Sequence, residues 1–385
     1  LSAQHIAVVD FGSHLTRLLI VQDTEPERVI VFACEKSEGV EHGVIVDLEK
    51  ASYMLKRLLD QVKHKLDYRI SSVYCSISGE SIASVSSHGV VKIRHQEVSR
   101  YDMEDLFATA EAISLDNQKV IHLVPKQYKV DNQVGIKDPL GMYGIRLEGD
   151  FHLVLVDQGV SQNMTRCFSR VGIQVEGFIF KPLGLADAVL YQDEKQQGII
   201  LVDMGEGTTD YVVCHDGVIK YSGSIPIGGG AVTRDIAHKL KVDNATAEKL
   251  KLAVMKMQEN AWFEEGTSVE EIQSVISARY MQIFKLIEQN IIREGLKKYI
   301  DRGVVLCGGA SQYPNLSELV ESGLSYPCRM GGLIEDGIEL KGQSWLGTIG
   351  LVFFVRQMGA NSVISRNNPC RKAFKMLQRW LEVYF

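Results

Sequence analysis

A repeat constrains this chain more than any other feature. Ile6-Ala7-Val8-Val9-Asp10-Phe11-Gly12 is an apolar run closing on Asp-x-Gly, and after a short polar turn a second apolar run follows at residues 18–21. The plan returns at residues 199–202, which lead into Asp203-Met204-Gly205-Glu206-Gly207-Thr208-Thr209-Asp210 and then another apolar run at 211–214. Laying Asp10 over Asp203 puts Gly12 over Gly205 and aligns the second runs. Each unit reads as a β-hairpin whose turn carries a carboxylate, glycines and hydroxyls. Two such units about half a chain apart predict two similar lobes facing one cleft. A chain of 385 residues is long enough to give each lobe its own core.

Helical periodicity separates the two units. Asp47 is placed to cap a helix reaching about residue 66, with Leu48, Leu55, Leu58, Leu59, Val62 and Leu66 at helical spacing. A longer helix is expected over about 269–299, with Ile272, Ile276, Ile283, Ile287 and Ile291 on one side. Alternating strands and helices indicate an α/β fold. Between residues 84 and 160 the pattern changes to short strands, a helix near 101–113 and a Gly/Pro-containing loop at 131–144. The expected organisation is therefore a first lobe over 1–83, an inserted subdomain over 84–160 and a return to the first lobe over 161–195. A second lobe follows over 196–355, with a final return to the first, then a polar linker over 356–369 and a terminal helix over 370–385.

Composition narrows the chemistry. The net charge of -6 does not suggest bulk nucleic-acid binding. The seven cysteines form no CxxC pair and no His/Cys cluster with zinc spacing, and those isolated inside apolar runs, such as Cys307, read as reduced core residues, which favours a reducing cytoplasm. No charged segment followed by a long apolar stretch opens the chain, so no signal peptide is expected. The apolar run at 346–355 is shorter than the roughly 20 residues that span a bilayer.

A polyphosphate needs N–H and hydroxyl donors around its oxygens and a cation between its charges. The turn at 203–210 holds all of these parts, with carboxylates able to position hydrated Mg²⁺. The Asp10 turn adds Gly12, Ser13 and His14. Ordinary hairpins with polar tips are the competing reading. Gly228 and Gly229, ahead of an expected helix containing Thr233 and Asp235, permit close backbone approach to a ligand or form a flexible turn. Gly308, Gly309 and Ala310 close the apolar strand at 304–307, as would suit a flat base, a phosphate or a tight strand-to-helix turn. Glu248 and Lys251 share one helix face, where they grip ribose and base edges or form an exposed ion pair.

Taken in order, Asp-x-Gly, Asp-x-Gly-x-Gly-Thr-Thr-Asp, Gly-Gly-x-x-x-Thr-x-Asp, Ala-Glu-x-x-Lys and Gly-Gly-Ala-Ser resemble the actin/Hsp70/sugar-kinase superfamily. Within it, Gly135-Ile136-Lys137-Asp138-Pro139-Leu140-Gly141-Met142-Tyr143-Gly144-Ile145-Arg146-Leu147-Glu148 is similar to the signature of the FtsA family's inserted subdomain. The resemblance implies an actin-like two-lobed fold with an FtsA-type insert and ATP (or ADP) with Mg²⁺ in the cleft. It implies self-assembly into filaments, binding to the FtsZ C-terminal peptide and to other division proteins, and a place on the cytoplasmic face of the bacterial inner membrane at the division site. Carried over residue by residue, Asp10, Gly12, Ser13, His14, Asp203, Gly205, Gly207, Thr208 and Thr209 surround the phosphates. Asp10 and Asp203 hold the metal through water, and Gly228 and Gly229 lie near the nucleotide. Glu248 and Lys251 face ribose and base beside Gly308, Gly309 and Ala310, and Arg279 faces FtsZ. Two departures stand out. Leu15 occupies a position where the family usually has a lysine, and Glu206 replaces a glycine. Both weaken phosphate binding unless Mg²⁺ or a basic residue elsewhere compensates, so nucleotide binding with weak or absent ATP hydrolysis is expected.

The last segment can be judged without the family. At about 100° per residue, Phe374, Leu377, Trp380, Leu381, Tyr384 and Phe385 fall in one arc and Arg371, Lys372, Lys375 and Arg379 lie opposite. That is the pattern of a helix lying in an anionic membrane surface, with a terminal helix packed on its own domain as the alternative. An actin-like scaffold of another membrane machine, of the pilus-assembly type, and a small-molecule kinase of the same superfamily stay open as functions.

Overall fold

The computed structural model describes residues 5–22, 28–114, 116–256, 268–334 and 343–359. The expected membrane helix over 370–385 lies outside the described residues.

Chain order begins with three antiparallel strands, β1 (His5–Phe11), β2 (Leu15–Gln22) and β3 (Arg28–Lys36). A small hairpin, β4 (Val40–Glu41) and β5 (Val44–Ile45), leads to α1 (Leu48–Lys63), capped as expected by the Asp47 carboxylate on the N–H groups of Glu49 and Lys50. Strand β6 (Ser72–Ile77) then joins β1 in parallel. The insert comprises β7 (Ile82–Lys92), α2 (Arg100–Glu111), β8 (Gln118–Val130), β9 (Gln133–Ile136) and β10 (Arg146–Asp157). Ser99 and Asp102 cap α2 reciprocally, each side chain accepting from the other's backbone N–H. Strand β9 falls within the stretch expected as a loop at 131–144, because the left-handed residues Asp131 and Gly135 turn the chain back onto β8.

The first lobe resumes with α3 (Gln158–Arg170), β11 (Gln174–Phe180), α4 (Lys181–Val189) and α5 (Gln192–Gln197). The second lobe repeats the strand plan of the first: β12 (Ile199–Met204), β13 (Thr209–His215) and β14 (Val218–Ile225), then α6 (Gly229–Leu240), α7 (Asn244–Met255), α8 (Val269–Arg293), β15 (Val304–Cys307), α9 (Leu316–Leu324) and β16 (Cys328–Met330). Helix α10 (Leu346–Gly359) returns to pack on α4 and β1.

Two expected helix ends move. Helix α8 stops at Arg293 instead of about 299, since Gly295 turns left-handed (φ 67°) and a 3₁₀ turn over Lys297–Tyr299 follows. Residues 356–359, expected as linker, continue α10. The five isoleucines of the α8 stripe are all buried, as the periodicity requires.

The sheets show why the repeat matters. Their orders are β11-β6-β1-β2-β3 and β14-β13-β12-β15-β16, each an antiparallel three-strand meander extended by parallel strands on the other side of its first strand. In the first hairpin Phe11 pairs with Thr16 and Asp10 with Arg17; in the second Met204 pairs with Thr209 and Asp203 with Asp210. One constant offset therefore superposes the two hairpins, turns included. The insert has its own sheet, β7-β10-β8-β9, and its own core under α2 around Phe107 and Phe151. It also leans on the second lobe, where Ser84 Oγ donates to the Ser222 carbonyl (2.7 Å) and His152 Nε2 meets Ser222 Oγ (2.8 Å).

Candidate functional site

The two hairpin turns face each other across one cavity. Its volume is about 310 Å³, within the usual range for a small-molecule site. Of the residues expected at the phosphates and base, it is lined by Asp10, Gly12, Ser13, His14, Asp203, Gly205, Gly207, Thr208, Gly229, Glu248, Lys251, Gly308, Gly309 and Ala310. Thr209 and Gly228 do not line it. The Thr209 hydroxyl donates backwards to the Ile227 carbonyl (2.8 Å) and the residue is fully buried. Gly228 caps α6 against the carbonyls of Gly205 and Glu206, where a Cβ would approach both to 2.5 Å.

The turns owe their shapes to specific bonds. Gly205 N–H donates to the Thr208 carbonyl (2.8 Å), closing the second turn. The first N–H groups of α6, at Gly229 and Gly230, donate to the carbonyls of Gly205 (2.9 Å) and Glu206 (2.8 Å). These glycines thus brace the turn and spend their donors there. The N–H groups of Ser13, Glu206 and Gly207 have no acceptor among the described residues, so they remain available at the cavity edge. Glu206 folds its carboxylate over Gly230 at the start of α6, where the helix dipole favours an anion.

The two lobes also touch beside the turns. His42, between β4 and β5, places Nδ1 2.8 Å from the Gly207 carbonyl, and Gly43 N–H donates to Ser13 Oγ (3.0 Å). An added Cβ at Gly207 would lie 2.5 Å from Ser13 Oγ, which measures how closely the turns approach.

On the far side, α7 and α8 present Leu252, Met255 and Tyr280, with the Tyr280 hydroxyl bonded to the Ala310 carbonyl (2.8 Å). This apolar wall suits a flat ring. The buried Lys251 ammonium donates to the Gly229 carbonyl (3.1 Å) and Thr233 Oγ1 (2.7 Å) and pairs with Glu248 Oε2 (2.6 Å), so its three donors are engaged within the protein. Of the expected ribose pair, Glu248 uses Oε2 for both Lys251 and the Thr233 hydroxyl. The Gly308-Gly309-Ala310 segment leads into a 3₁₀ turn over Gly309–Gln312 instead of directly into an α-helix. Gly308 is left-handed (φ 91°), and a Cβ there would lie 2.6 Å from Asp203 Oδ1.

The main feature that sequence reasoning missed is Lys181. It opens α4, and its Nζ stands 2.8 Å from Asp203 Oδ2 and 3.7 Å from Asp10 Oδ1. Burial disfavours its charge, but Asp10 and Asp203 outweigh burial and raise its pKa above the ordinary lysine value. Arg17 adds a second cation 3.9 Å from Asp10 Oδ2, with its guanidinium over the Trp345 ring. Asp10 also accepts from the Ser76 hydroxyl (3.0 Å), which itself accepts from Phe11 N–H (2.8 Å). Beneath them, burial and the charge of Asp203 push Asp210 up to about 7, against hydroxyl donation from Ser224 and Thr208. These carboxylates do not fit the expected Mg²⁺. The space between Asp10 and Asp203 holds the Lys181 ammonium.

Arg279 lies on α8 and does not line the cavity. Its guanidinium makes a two-pronged contact with Asp235 (2.6 and 2.7 Å) and donates to Gln282 (2.6 Å), joining α6 to α8. It is the first ligand of its own scaffold, with two N–H groups left over.

Comparison with known proteins agrees with this architecture. Residues 79–155 match the family described as SHS2 domain inserted in FTSA, and residues 200–341 match Cell division protein FtsA. The Cell division protein FtsA of Pseudomonas aeruginosa is 31% identical over 100% of this chain and 99% of its own length. That of Borreliella burgdorferi is 32% identical over 81% and 82%. Among solved structures, a PilM-PilN type IV pilus biogenesis complex superposes with a TM-score of 0.64 at 14% identity, covering 90% of this chain and 97% of the other. MreB5 of Spiroplasma citri bound to ADP gives 0.57 at 14% identity, covering 93% and 99%. These two likenesses establish the actin-like fold.

Proposed function

The chain belongs to the FtsA family of cell division proteins, and from that premise we propose that it binds an adenine nucleotide in its cleft, assembles with copies of itself and ties the FtsZ ring to the membrane. The observation that carries the nucleotide is the pair of superposable turns, with their unsatisfied N–H groups, converging on one cavity with an apolar far wall. Phosphates lie between the turns, near Lys181 and Arg17, and the base lies toward Leu252, Met255 and Tyr280. Hydrolysis is weak or absent in this reading, and the nucleotide acts on lobe closure and assembly.

Gly309 offers a clean test. It borders the cavity, yet an added Cβ would meet nothing within 4 Å. Gly309→Trp therefore places its Cβ in open space and adds an indole at the cavity edge. Equilibrium binding of a fluorescent ATP analogue is expected to be lost in this variant while its thermal unfolding stays unchanged. Undiminished binding by the variant would place the nucleotide elsewhere.

The tether rests on the amphipathic pattern of residues 370–385. No helix among the described residues is long and apolar enough to cross a membrane. One amphipathic helix binds reversibly, so filament assembly strengthens attachment by multivalency. Deleting residues 371–385 is expected to leave a folded protein that no longer sediments with anionic vesicles. The FtsZ C-terminal peptide is assigned to the surface around Arg279, and fluorescence anisotropy with that peptide on Arg279→Ala tests the assignment.

A further inference from the structure

We propose that Lys181 takes the place of the divalent cation, so that the cleft binds its nucleotide without Mg²⁺. The inference rests on the nucleotide reading of the cleft and concerns how phosphate charge is neutralised there.

The ammonium is built into the fold. Lys181 follows the apolar strand β11 and precedes Pro182, so it sits at the first turn of α4, pointing back toward the strand ends that carry Asp10 and Asp203. Its stem runs through a slot left by Gly347 at the start of α10, where an added Cβ would lie 2.9 Å from Lys181 Cδ and 3.5 Å from Asp10 Oδ2. Helices α4 and α10 close to backbone contact one turn further on, at Gly184 and Gly350. Lys181 thus occupies a channel shaped by two glycine-mediated approaches, and its side chain is 16% exposed, on the cavity side.

The geometry competes directly with a metal. Magnesium requires near-octahedral oxygen coordination at about 2.0–2.1 Å and usually retains several waters. An ammonium 2.8 Å from Asp203 and 3.7 Å from Asp10 fills the space where that hydrated ion would meet both carboxylates. A dication beside a buried monocation is repelled, and more strongly in a poorly solvated site. Lys181 already does part of the metal's work. With Arg17 it balances the charges of Asp10 and Asp203, so the floor of the cleft no longer repels a polyphosphate. An ammonium has three donors and two carboxylate partners here, which leaves a donor for a phosphate oxygen. The missing lysine at Leu15 and the added carboxylate of Glu206 are thereby offset from a different part of the chain.

The test is equilibrium binding of fluorescent ADP and ATP analogues to the full chain, with excess Mg²⁺ and with excess EDTA. The wild-type dissociation constants are expected to agree within about threefold between the two conditions. Lys181→Gln is expected to weaken binding in EDTA by about tenfold or more, the scale of one charged hydrogen bond, with partial recovery in Mg²⁺. Lys181→Arg should keep metal independence. Wild-type binding that collapses in EDTA overturns the proposal while leaving the nucleotide site intact. Equal affinity of wild type and Lys181→Gln in EDTA overturns the role of the ammonium. Absence of binding in both conditions removes the nucleotide reading and the proposal with it. The wild-type comparison decides the metal question even if the glutamine variant fails to fold.

Discussion

Two buried histidines make the junction between the insert and both lobes sensitive to acid. His122, on β8, accepts the Phe180 N–H at Nε2 (2.9 Å) and packs edge-on against Phe354 of α10, its centroid 5.1 Å away. His152, on β10, bonds to Ser222 of β14. Burial holds both imidazoles neutral, with pKa values lowered to about 3; for His152 the charge of Lys126 and the neighbouring His122 add to the effect. In the unfolded chain each titrates near 6.5. Below that pH the unfolded state takes up two protons that the folded state refuses, so stability present above pH 6.5 is lost as pH falls toward 3. The loss approaches about 1.4 kcal/mol per pH unit per histidine below pH 6.5, or about 4 kcal/mol for the pair between pH 7.5 and pH 5. The perturbation is the double variant His122→Gln, His152→Gln, which keeps acceptors at both places and titrates at neither. Its own cost is independent of pH, so only the change in the difference from wild type matters. Urea unfolding followed by circular dichroism at pH 7.5, 6.5, 5.75 and 5 gives that difference, which should shift by about 4 kcal/mol in favour of the variant over the acidic range. Parallel stability curves for the two proteins would refute the argument, because they would mean that the imidazoles are protonated in the folded state.

Two further predictions concern the frame of the cleft. Gly308→Ala forces a Cβ onto a left-handed backbone (φ 91°) against Asp203 Oδ1, and should cost about 1–3 kcal/mol in urea unfolding as well as weakening nucleotide binding. Arg329 donates twice to Glu194 (2.6 Å each) and to the Val189 carbonyl (2.9 Å), joining β16 to α4 and α5 across the lobes; Arg329→Ala leaves a largely buried carboxylate with the Tyr191 N–H (2.9 Å) but without its counter-charge and should cost about 2–3 kcal/mol, read as a lower urea midpoint.

The two-lobed design was legible because it is local. Each hairpin is one short stretch, residues 5–22 or 199–215, and its carboxylate, glycines and apolar strands occur in fixed order, so aligning Asp10 with Asp203 lays the Phe11–Thr16 pair over the Met204–Thr209 pair. The α1 cap and the isoleucine stripe of α8 were legible for the same reason. What individual donors do was less accessible. Gly229 and Gly230 carry the composition of a ligand-binding loop, but their N–H groups are consumed by the carbonyls of the neighbouring turn. Lys251 sits on the expected face, and only the position of Thr233 and Gly229 one helix away shows that its ammonium is saturated.

Lys181 shows where pattern reading stops and why. Its partners are Asp10 and Asp203, far from it in sequence on either side, and they meet it because β1 and β12 end at the same cleft as β11. The one local signal is a cation between an apolar strand and a proline, at Phe180-Lys181-Pro182, where burial without a counter-charge would be costly. Such a residue demands a carboxylate partner, and the chain has two aspartates at strand ends that demand a cation. Searching for unmatched charges at the ends of buried strands, in addition to contiguous motifs, would have joined the three. The same logic bears on Leu15 and Glu206: judged inside their own turns they appear as losses for phosphate binding, whereas judged across the cleft they stand opposite a cation that the turn itself no longer supplies.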